Sequence, residues 1–441
     1  MSSGKDDKAY NKSGKVPFAN GRYLLSHRLG NGSFGDIFEG YDTVRKMRVA
    51  VKLEKKKIRF PQLEYESKVY QLLHQPPVGM NEVNPEEVLD QYVNGEIGDD
   101  EAAVQNVPYI VIGVPEIYYF DSEGDYNIMV MELCGPSLED VFNYCHRRLS
   151  LKSVLMIADQ ILFRIQYLHD RGFVHRDIKP ENFVFGCGSK AHILYIIDYG
   201  LSKLYWDLKK NMHLPFAEGK PLTGTARYCS ANTHRGYEQS RRDDMESLGF
   251  LFVYFLKGSL PWQGIQAKDQ HLKTIKIGEK KIATPLEELC SGLPTEFLKY
   301  CQYCRMLRFQ DKPDYDYLRG LFRNLGKKYG YAVPTVPCTN PVLLRYAIVE
   351  EEERYEDNSS VGNGNNYANR HNANRVRSGG TRFDLPDPDP MRGYYDWQFD
   401  WFLKREKEVE GGVGQSGSTP SGGEPSINPA YRGDHTDQLV K

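Results

Sequence analysis

The stretch His175-Arg176-Asp177-Ile178-Lys179-Pro180-Glu181-Asn182 decides the fold, together with Asp198-Tyr199-Gly200 a short way downstream. Phosphoryl transfer to a hydroxyl needs one carboxylate that orients the hydroxyl and accepts its proton. It also needs an amide oxygen and a second carboxylate that hold Mg²⁺. Asp177, Asn182 and Asp198 meet those needs in order. A single acidic residue is more often a surface or capping group, so the prediction depends on the spacing of all three.

A glycine-rich stretch, Gly30-Asn31-Gly32-Ser33-Phe34-Gly35, lies upstream between two predicted strands. Its glycines let backbone N–H groups approach phosphate oxygens, although an ordinary hairpin turn also fits the pattern. No helix begins after Gly35, which disfavours a dinucleotide-binding fingerprint. Lys52 ends a later strand, and Glu66 follows on a predicted helix. A lone Lys or Glu is typical of a solvated surface. A lysine on a strand followed by a glutamate on a helix, however, suits an ion pair in which Glu66 holds the Lys52 ammonium against phosphates.

Length and composition predict a globular chain with a large core, divided into two lobes. The chain has 441 residues and a net charge of 57 − 59 = −2, with 40% hydrophobic residues. The balanced charge gives no overall field for nucleic acid or an anionic membrane, so no specific nucleic-acid partner is expected. No apolar run approaches the roughly 20 residues of a membrane-spanning helix, and no secretion signal is present. We therefore expect a cytoplasmic or nuclear monomer without a membrane span.

The eight cysteines are scattered along the sequence. The close pair Cys301 and Cys304 lacks a second pair or a flanking histidine for zinc. The cysteines are therefore interpreted as reduced core thiols.

Hydrophobic periodicity predicts a small β-sheet with one helix, followed by a mainly helical region. In the first region the predicted strands are Tyr23 to Leu29, Ile37 to Tyr41, Met47 to Leu53, Glu116 to Phe120 and Tyr126 to Leu133. The predicted helix, from Pro61 to His74, follows the third of these strands. Beyond Gly135, apolar residues from Leu151 to Leu168 recur at helical spacing behind Ser150, an N-cap candidate. A buried strand is predicted from Ile193 to Ile197, and a fully buried helix from Leu248 to Leu256.

Composition divides the chain into six segments. They are a flexible N-terminus (1–16), a β-rich lobe (17–134) with an acidic insertion (78–106), a helical lobe (135–330), a mostly disordered low-complexity insertion (331–392), an ordered aromatic segment (393–404) and a flexible tail (405–441). The insertion at 78–106 holds eight acidic residues and no Lys or Arg, which is typical of a solvated loop. The aromatic run from Tyr395 to Trp401 is costly to leave in water.

With these motifs, the chain resembles the eukaryotic protein kinases and, among them, the casein kinase 1 family. The resemblance extends through Met131 to Asp140, Gly224 to Asn232, Ser240 to Asp244, Leu260 to Gly264 and Asp311 to Tyr315. It covers roughly 17–330 apart from the acidic insertion, and Tyr395 to Trp401 is similar to the segment that closes the family's fold. The resemblance implies an α+β, bilobal protein kinase fold, with a small β-sheet and one helix in the N-lobe and a mainly helical C-lobe.

The resemblance also implies ATP and Mg²⁺ as cofactors and gives the site residues their roles. Asp177 becomes the proton acceptor, Lys179 lies beside the transferring phosphate, Lys52 binds phosphates with Glu66 as its partner, and Asp244 anchors the catalytic loop. Asn182 and Asp198 become the metal ligands. The implied ATP-binding positions are Gly30, Asn31, Gly32, Ser33, Phe34, Gly35, Ile37, Ala50, Lys52, Met131, Glu132 and Leu133. Met131 lies at the back of the adenine pocket, and backbone groups near Glu132 and Leu133 bind the base.

Substrate preference is implied in the same way. Ser230-Ala231-Asn232 is similar to the S-I-N of the casein kinase 1 family, which prefers Ser or Thr preceded three residues earlier by phosphate or an acidic residue. Protein substrates that are acidic or already phosphorylated are the expected partners. The positions that match the anion site are Arg227, Lys273, Lys220 and Gly264. A guanidinium with nearby ammonium groups suits a dianionic phosphate, whereas Lys220 and Lys273 alone are consistent with simple solubility.

The chain departs from the family pattern at a few positions. They are Tyr199 for Phe, Ala231 for Ile, Glu181 for Asp and Trp206 for Arg. None removes a group that would touch ATP or Mg²⁺. The alternative function is a pseudokinase scaffold that binds phosphorylated or acidic partners, although Lys52, Glu66, Asp177, Asn182 and Asp198 together favour activity. A phosphopeptide-binding module without chemistry would not explain the retained metal ligands.

Overall fold

The computed structural model describes residues 16–32, 35–75, 113–207, 209–331 and 399–405. The predictions made for Ser33 and Phe34, for the acidic stretch 78–106, for nearly all of 331–392 and for the C-terminal tail beyond 405 lie outside these residues. The segment boundaries drawn from composition stay predictions.

The first region is an antiparallel six-stranded sheet in the order β1-β2-β3-β4-β6-β5. Its elements are β1 (Val16–Phe18), β2 (Tyr23–Gly32), β3 (Gly35–Asp42), β4 (Met47–Lys55), α1 (Leu63–His74), β5 (Ile117–Glu123) and β6 (Tyr126–Glu132). The predicted meander is confirmed, and so is the predicted helix after the third strand of the meander, which is α1. Strand β1 was not predicted, because a three-residue strand carries too little alternation to stand out.

The two faces of this sheet carry different side chains, because residues alternate along a strand. One face holds an apolar cluster made of Tyr23, Leu25, Phe38, Val49, Val51, Leu53, Ile128 and Val130. Ala50 and Lys52 alternate with these residues on β4 and so belong to the opposite face. The register pairs Lys52 with Ile37 and Ala50 with Met131, so these four predicted nucleotide-binding residues share that face.

The second region is mainly helical. Its helices are α2 (Leu138–Tyr144), α3 (Leu151–Asp170), α4 (Ala231–His234), α5 (Arg241–Lys257), α6 (Gln270–Ala283), α7 (Leu286–Leu289), α8 (Thr295–Met306) and α9 (Tyr315–Lys328). Helices α3 and α5 pack together at the centre, with α9 against α3 and α8 against α5. Ser150 caps α3 as predicted, because its hydroxyl accepts a hydrogen bond from the Ser153 N–H at 3.2 Å. The predicted buried helix from Leu248 is the second half of α5.

Short strands frame the loops between these helices. They are β7 (Phe173–Val174), β8 (Phe183–Phe185), β9 (Leu194–Ile196), β10 (Lys203–Leu204), β11 (Trp206–Asp207) and β12 (Met212–His213). Strands β8 and β9 pair antiparallel, and the metal-ligand candidates flank this hairpin: Asn182 directly precedes β8, and Asp198 follows β9 by two residues.

The seven cysteines in the described residues are free thiols. The prediction that they are core residues is wrong for Cys187, which is exposed because it precedes the 3₁₀ turn Gly188–Lys190 between β8 and β9. Cys134 and Cys145 are half-buried, and the remaining four are buried. Among the described residues, no helix is both long enough and apolar enough to span a membrane.

The aromatic segment returns to the helical region at 399–405. Phe399 and Trp401 are buried, and both rings pack against Phe185 on β8 at centroid distances of 5.4 and 4.9 Å. The Asp400 carboxylate accepts a hydrogen bond from the Ser150 N–H at 2.6 Å, and the Asp400 N–H donates to Ser153 Oγ at 3.1 Å. The segment therefore supports the start of α3 and the back of β8.

We expect Trp401→Ala to destabilise the protein by about 3–5 kcal/mol, because it empties a buried aromatic site. Leu403→Ala is the matched control in the same segment, since Leu403 is 37% exposed and its truncation should change stability by no more than about 0.5 kcal/mol. Urea unfolding of the full chain measures both. Equal midpoints for Trp401→Ala and wild type would contradict the docking of this segment.

Candidate active site

Lys52 is the centre of a buried ionic cluster that joins β4, α1 and the loop after β9. Its Nζ donates to Glu66 Oε2 at 2.7 Å and to Asp198 Oδ1 at 3.1 Å. Burial opposes the charge of Lys52, but the carboxylates of Asp198 and Glu66 raise its pKa above the ordinary value. Burial also raises the pKa of Glu66, to about 7. We assign the ionic form to the pair, because an ammonium between two carboxylates at these distances stabilises both of them.

Helix α1 is held to the metal-ligand loop by two tyrosines. The Asp198 N–H donates to the Tyr70 hydroxyl at 3.3 Å, and the Tyr65 hydroxyl donates to the Ser202 carbonyl at 2.9 Å. The Tyr199 ring packs edge-on against Tyr70 at 4.8 Å and contacts the His175 ring at 5.5 Å. These contacts fix Glu66 and Asp198 relative to each other, as the Lys52 bridge requires.

Asp177 is the most heavily bonded carboxylate of the catalytic loop. It is buried, and Lys179 Nζ donates to its Oδ2 at 2.6 Å while Thr225 Oγ1 donates to its Oδ1 at 2.7 Å. Burial opposes the charge of Lys179, but the carboxylates of Asp177 and Asp198 raise its pKa, so Lys179 stays an ammonium. A carboxylate held by two donors has a fixed orientation, which suits a group that must meet a substrate hydroxyl.

Asp244 supports the catalytic loop from below, as predicted. Its carboxylate accepts hydrogen bonds from the backbone N–H groups of His175 at 2.7 Å and Arg176 at 3.0 Å. His169 Nε2 lies 2.9 Å from the same carboxylate, and its Nδ1 lies 2.6 Å from the Tyr315 hydroxyl. A neutral His169 satisfies both contacts, because its Nε2–H donates to Asp244 while Nδ1 accepts from Tyr315. Burial agrees with this assignment, since it lowers the pKa of His169.

Asn182 and Asp198 fit the ligand set of a magnesium ion. The Asn182 Nδ2 donates to the Asp177 carbonyl at 2.9 Å, which leaves the amide oxygen as the ligand atom. Asp198 has a φ of 66°, a left-handed conformation that a non-glycine residue adopts only when its surroundings hold it there. Within the described residues no cluster of three or more His, Cys, Asp or Glu could hold a metal. A magnesium ion held by Asn182 and Asp198 would take its remaining oxygens from nucleotide phosphates.

Two glycines of the Gly-rich loop differ in what surrounds them. A Cβ at Gly35 would lie 2.1 Å from the Leu53 carbonyl oxygen, so packing against β4 alone requires glycine there. A Cβ at Gly30 would meet no atom within 4 Å, so open space lies beside this residue. Packing against β4 therefore accounts for Gly35, whereas the contact of Gly30 with phosphate stays a prediction.

The strand end at Glu132 limits how the base can be bound. The Glu132 N–H donates to the Glu116 carbonyl at 2.8 Å, so this residue can offer an adenine only its own carbonyl. The Glu132 carboxylate is bound in turn by the Tyr195 hydroxyl at 3.3 Å and by Lys190 at 3.4 Å. Met131, one residue earlier, is buried as expected for the back of a pocket.

The residues predicted to bind a substrate anion lie on three elements. The Arg227 carbonyl accepts a hydrogen bond from the Trp262 indole N–H at 2.7 Å, which brings the loop of Gly264 to the segment of Arg227. Lys273 lies on α6. Lys220 forms an ion pair with Glu238 at 3.2 Å, and Lys203 binds the same carboxylate oxygen at 2.9 Å. Part of the charge of Lys220 is therefore already neutralised within the protein.

Sequence reasoning missed the role of Thr225. The motif around Gly224 had been noted, but no pattern indicated that Thr225 reaches Asp177, which is 48 residues away in the chain. Gly224 makes this approach possible, because a Cβ there would lie 2.2 Å from the Arg176 carbonyl oxygen. The spacing of small residues in Gly224-Thr225-Ala226 is the one local signal of close packing.

Comparison with known proteins agrees with this geometry. A family model described as protein kinase domain matches residues 103–308, a little under half of the chain. The matched range includes Asp177, Asn182 and Asp198, whereas Lys52 and Glu66 precede it and reach the site through the sheet and α1. The antiparallel sheet followed by a helical region is the bilobal α+β fold of protein kinases, as predicted.

The neutral His169 predicts how stability depends on pH. Its pKa is lowered in the folded protein, so below pH about 6.5 the unfolded chain binds a proton that the folded chain does not, and stability falls. We expect a loss of about 1 kcal/mol from this residue between pH 7.5 and 5.5. Urea unfolding of His169→Gln should show a shallower loss over that interval than wild type. The exposed His27→Gln serves as control, and an identical loss in His169→Gln and wild type would contradict the neutral assignment.

Proposed function

We propose that this chain, which carries a protein kinase domain, is a serine/threonine kinase of the casein kinase 1 type. It transfers the γ-phosphate of ATP to Ser or Thr hydroxyls in proteins, at sites preceded three residues earlier by phosphate or an acidic side chain. The observation that carries the proposal is the Asp177 carboxylate, which is buried and held by both Lys179 and Thr225.

Each charged group around Asp177 has a separate role in the proposed reaction. The carboxylate is positioned to accept the proton of an incoming hydroxyl as its oxygen bonds to phosphorus. Lys179 remains charged beside it and can stabilise negative charge on the transferring phosphate. Lys52, fixed by Glu66 and Asp198, provides the second cation, and Asn182 with Asp198 would hold the magnesium ion. Bound Mg-ATP supplies the phosphoryl group and the divalent charge.

Serine or threonine as acceptor is supported by Lys179. This lysine follows Asp177 by two residues, the arrangement of Ser/Thr kinases, and the structure has its ammonium 2.6 Å from the carboxylate. The Thr225 hydroxyl occupies the other carboxylate oxygen at 2.7 Å.

A preference for acidic or phosphorylated sites is supported by Arg227 and Lys273. A guanidinium recognises a dianion by charge and by paired hydrogen bonds, and that of Arg227 is half-buried. Lys273 on α6 is the ammonium that the family resemblance pairs with it. Lys220 contributes less in this proposal, because Glu238 already neutralises part of its charge. The casein kinase 1 resemblance of Gly224 to Asn232 adds to this argument.

The test compares peptides that differ at one position. One carries phosphoserine three residues before the target Ser, the second carries Ala there, and the third replaces the target Ser with Tyr in the phosphorylated context. We expect labelling from [γ-³³P]ATP to be at least about tenfold stronger for the first peptide, equivalent to roughly 1.4 kcal/mol of discrimination. Arg227→Gln should reduce that preference, and Asp198→Asn should abolish labelling.

Each outcome separates one part of the proposal. Equal labelling of the phosphoserine and Ala peptides would reject the anion preference, and labelling of the Tyr peptide would reject the acceptor assignment. No transfer to peptides or to an acidic protein substrate would reject the kinase and favour the scaffold, in which the same residues bind partners without chemistry.

A further inference from the structure

Lys281 is a lysine with a fully buried side chain on α6, 0% exposed. Its Nζ donates to the main-chain carbonyls of Ala226 at 2.9 Å and Cys229 at 2.5 Å. It also lies 3.2 Å from His234 Nε2 on α4. Two main-chain carbonyls of the chain between Thr225 and His234 therefore bind this one ammonium, and the His234 ring lies beside it. A buried lysine is costly, so its bonding to two carbonyls of one segment calls for a reason beyond packing.

Lys281 contacts aromatic rings as well as carbonyls. Its Nζ lies 5.2 Å from the ring centroids of both Phe250 and Trp262, within the range of cation–π attraction. Burial lowers the pKa of Lys281, whereas the nearby Cys229 and Glu246 oppose this shift, and Glu246 itself is bound by Arg305 at 2.8 Å. The Lys281 ammonium is thus committed to backbone carbonyls rather than to an acidic partner.

His234 lies beside Lys281 as a neutral ring, and its Nε2 is also 3.2 Å from the Ala226 carbonyl oxygen that Lys281 binds. Burial, with the nearby charge of Lys281, lowers the pKa of His234 to about 3. Helix α6 approaches this ring closely at Gly278, where a Cβ would lie 2.7 Å from His234 Nδ1. Helix α6 is therefore packed against α4 at the same place where it binds the carbonyls.

The segment bound by Lys281 leads directly to the catalytic carboxylate. Thr225 directly precedes Ala226, and its hydroxyl donates to Asp177 Oδ1. The Thr225 carbonyl accepts hydrogen bonds from the N–H groups of Tyr228 and Cys229, both at 2.9 Å. The next carbonyl, that of Arg227, is held by the Trp262 indole. Buried donors thus bind the carbonyls of three residues between 226 and 229, in the segment whose first side chain, that of Thr225, contacts Asp177.

We propose that Lys281 is a positioning residue that fixes residues 225–229, so that Thr225 meets Asp177 and Arg227 faces the incoming peptide. The proposal rests on the proposed kinase function for its catalytic consequence, but not for its structural one. Because nucleotide contacts lie on β2 to β6 and in the loops of Asn182 and Asp198, losing Lys281 should affect the protein substrate and leave ATP binding unchanged.

Lys281→Met is the direct test, because methionine keeps an apolar stem against Phe250 and Trp262 but leaves the two carbonyls without their donor. The matched control is Lys280→Met, the same substitution at the exposed neighbouring position on α6. Hydrogen–deuterium exchange of the full chain reports on the amides of Tyr228 and Cys229. We expect these amides to exchange at least about tenfold faster in Lys281→Met than in wild type or in Lys280→Met, which is about 1.4 kcal/mol of lost protection.

Steady-state kinetics supplies the second readout. The KM for the phosphoserine peptide should rise several-fold in Lys281→Met while the KM for ATP stays within twofold, a split that general loss of folded protein cannot produce. Unchanged exchange at Tyr228 and Cys229, or an equal rise in both KM values, would overturn the proposal. If wild type transfers no phosphate, the kinase proposal fails, and the exchange measurement still decides the role of Lys281.

Trp262→Phe covers the case in which Lys281→Met does not fold. It removes the donor to the Arg227 carbonyl and keeps an aromatic ring beside the lysine. We expect a smaller increase in exchange at the same two amides. Exchange identical to wild type in Trp262→Phe would contradict the view that buried donors fix this segment.

Discussion

The bridge from Lys52 to Glu66 and Asp198 is the interaction on which the rest of the site depends. It joins the sheet, helix α1 and the metal-ligand loop through Nζ–O distances of 2.7 and 3.1 Å. Burying three charges contributes little to stability, because desolvation offsets much of their attraction. A role in function explains the desolvation of these charges better than a contribution to folding stability does. The bridge fixes the Lys52 ammonium between the sheet face proposed to bind nucleotide and the loop of Asp198.

The backbone of residues 225–229 is bound by buried side chains, as is the backbone of the loop that contains His175 and Arg176. Asp244 binds the N–H groups of the loop from below, and Lys281 binds the carbonyls of the segment after Thr225. The Asp244 carboxylate accepts hydrogen bonds from N–H groups, and the Lys281 ammonium donates hydrogen bonds to carbonyls. Each loop is therefore bound by a buried side chain of the suitable charge. Thr225 and Asp177 meet between them. The position of Asp177, the proposed proton acceptor, thus depends on buried residues from other parts of the chain.

Much of this organisation could be predicted from the sequence, and the remainder could not for identifiable reasons. Local periodicity indicated the sheet, α1 and α3, and the spacing of Asp177, Asn182 and Asp198 indicated the chemistry, because these features are encoded over a few residues. The Thr225 contact with Asp177 and the docking of Asp400 on Ser150 span 48 and 250 residues. Such contacts follow from tertiary packing. Likewise, a buried Lys281 is indistinguishable in sequence from its exposed neighbour Lys280.

The glycine-rich loop shows how two explanations of one motif can both hold. Gly35 is required by the closeness of the Leu53 carbonyl, whereas Gly30 borders open space. A sequence motif can therefore reflect both packing requirements and binding requirements, and the structure is needed to distinguish the two. The same applies to Lys220, whose position matched an anion site while its ammonium forms an ion pair with Glu238.

The most direct test of the account is Asp177→Asn, measured for both Mg-ATP affinity by calorimetry and the rate of phosphate transfer in a single turnover. The amide keeps the shape and the hydrogen bond from Thr225 but cannot accept the substrate proton. The account predicts an unchanged dissociation constant and a transfer rate reduced at least about 100-fold. Transfer at the wild-type rate, or loss of Mg-ATP binding, would contradict it.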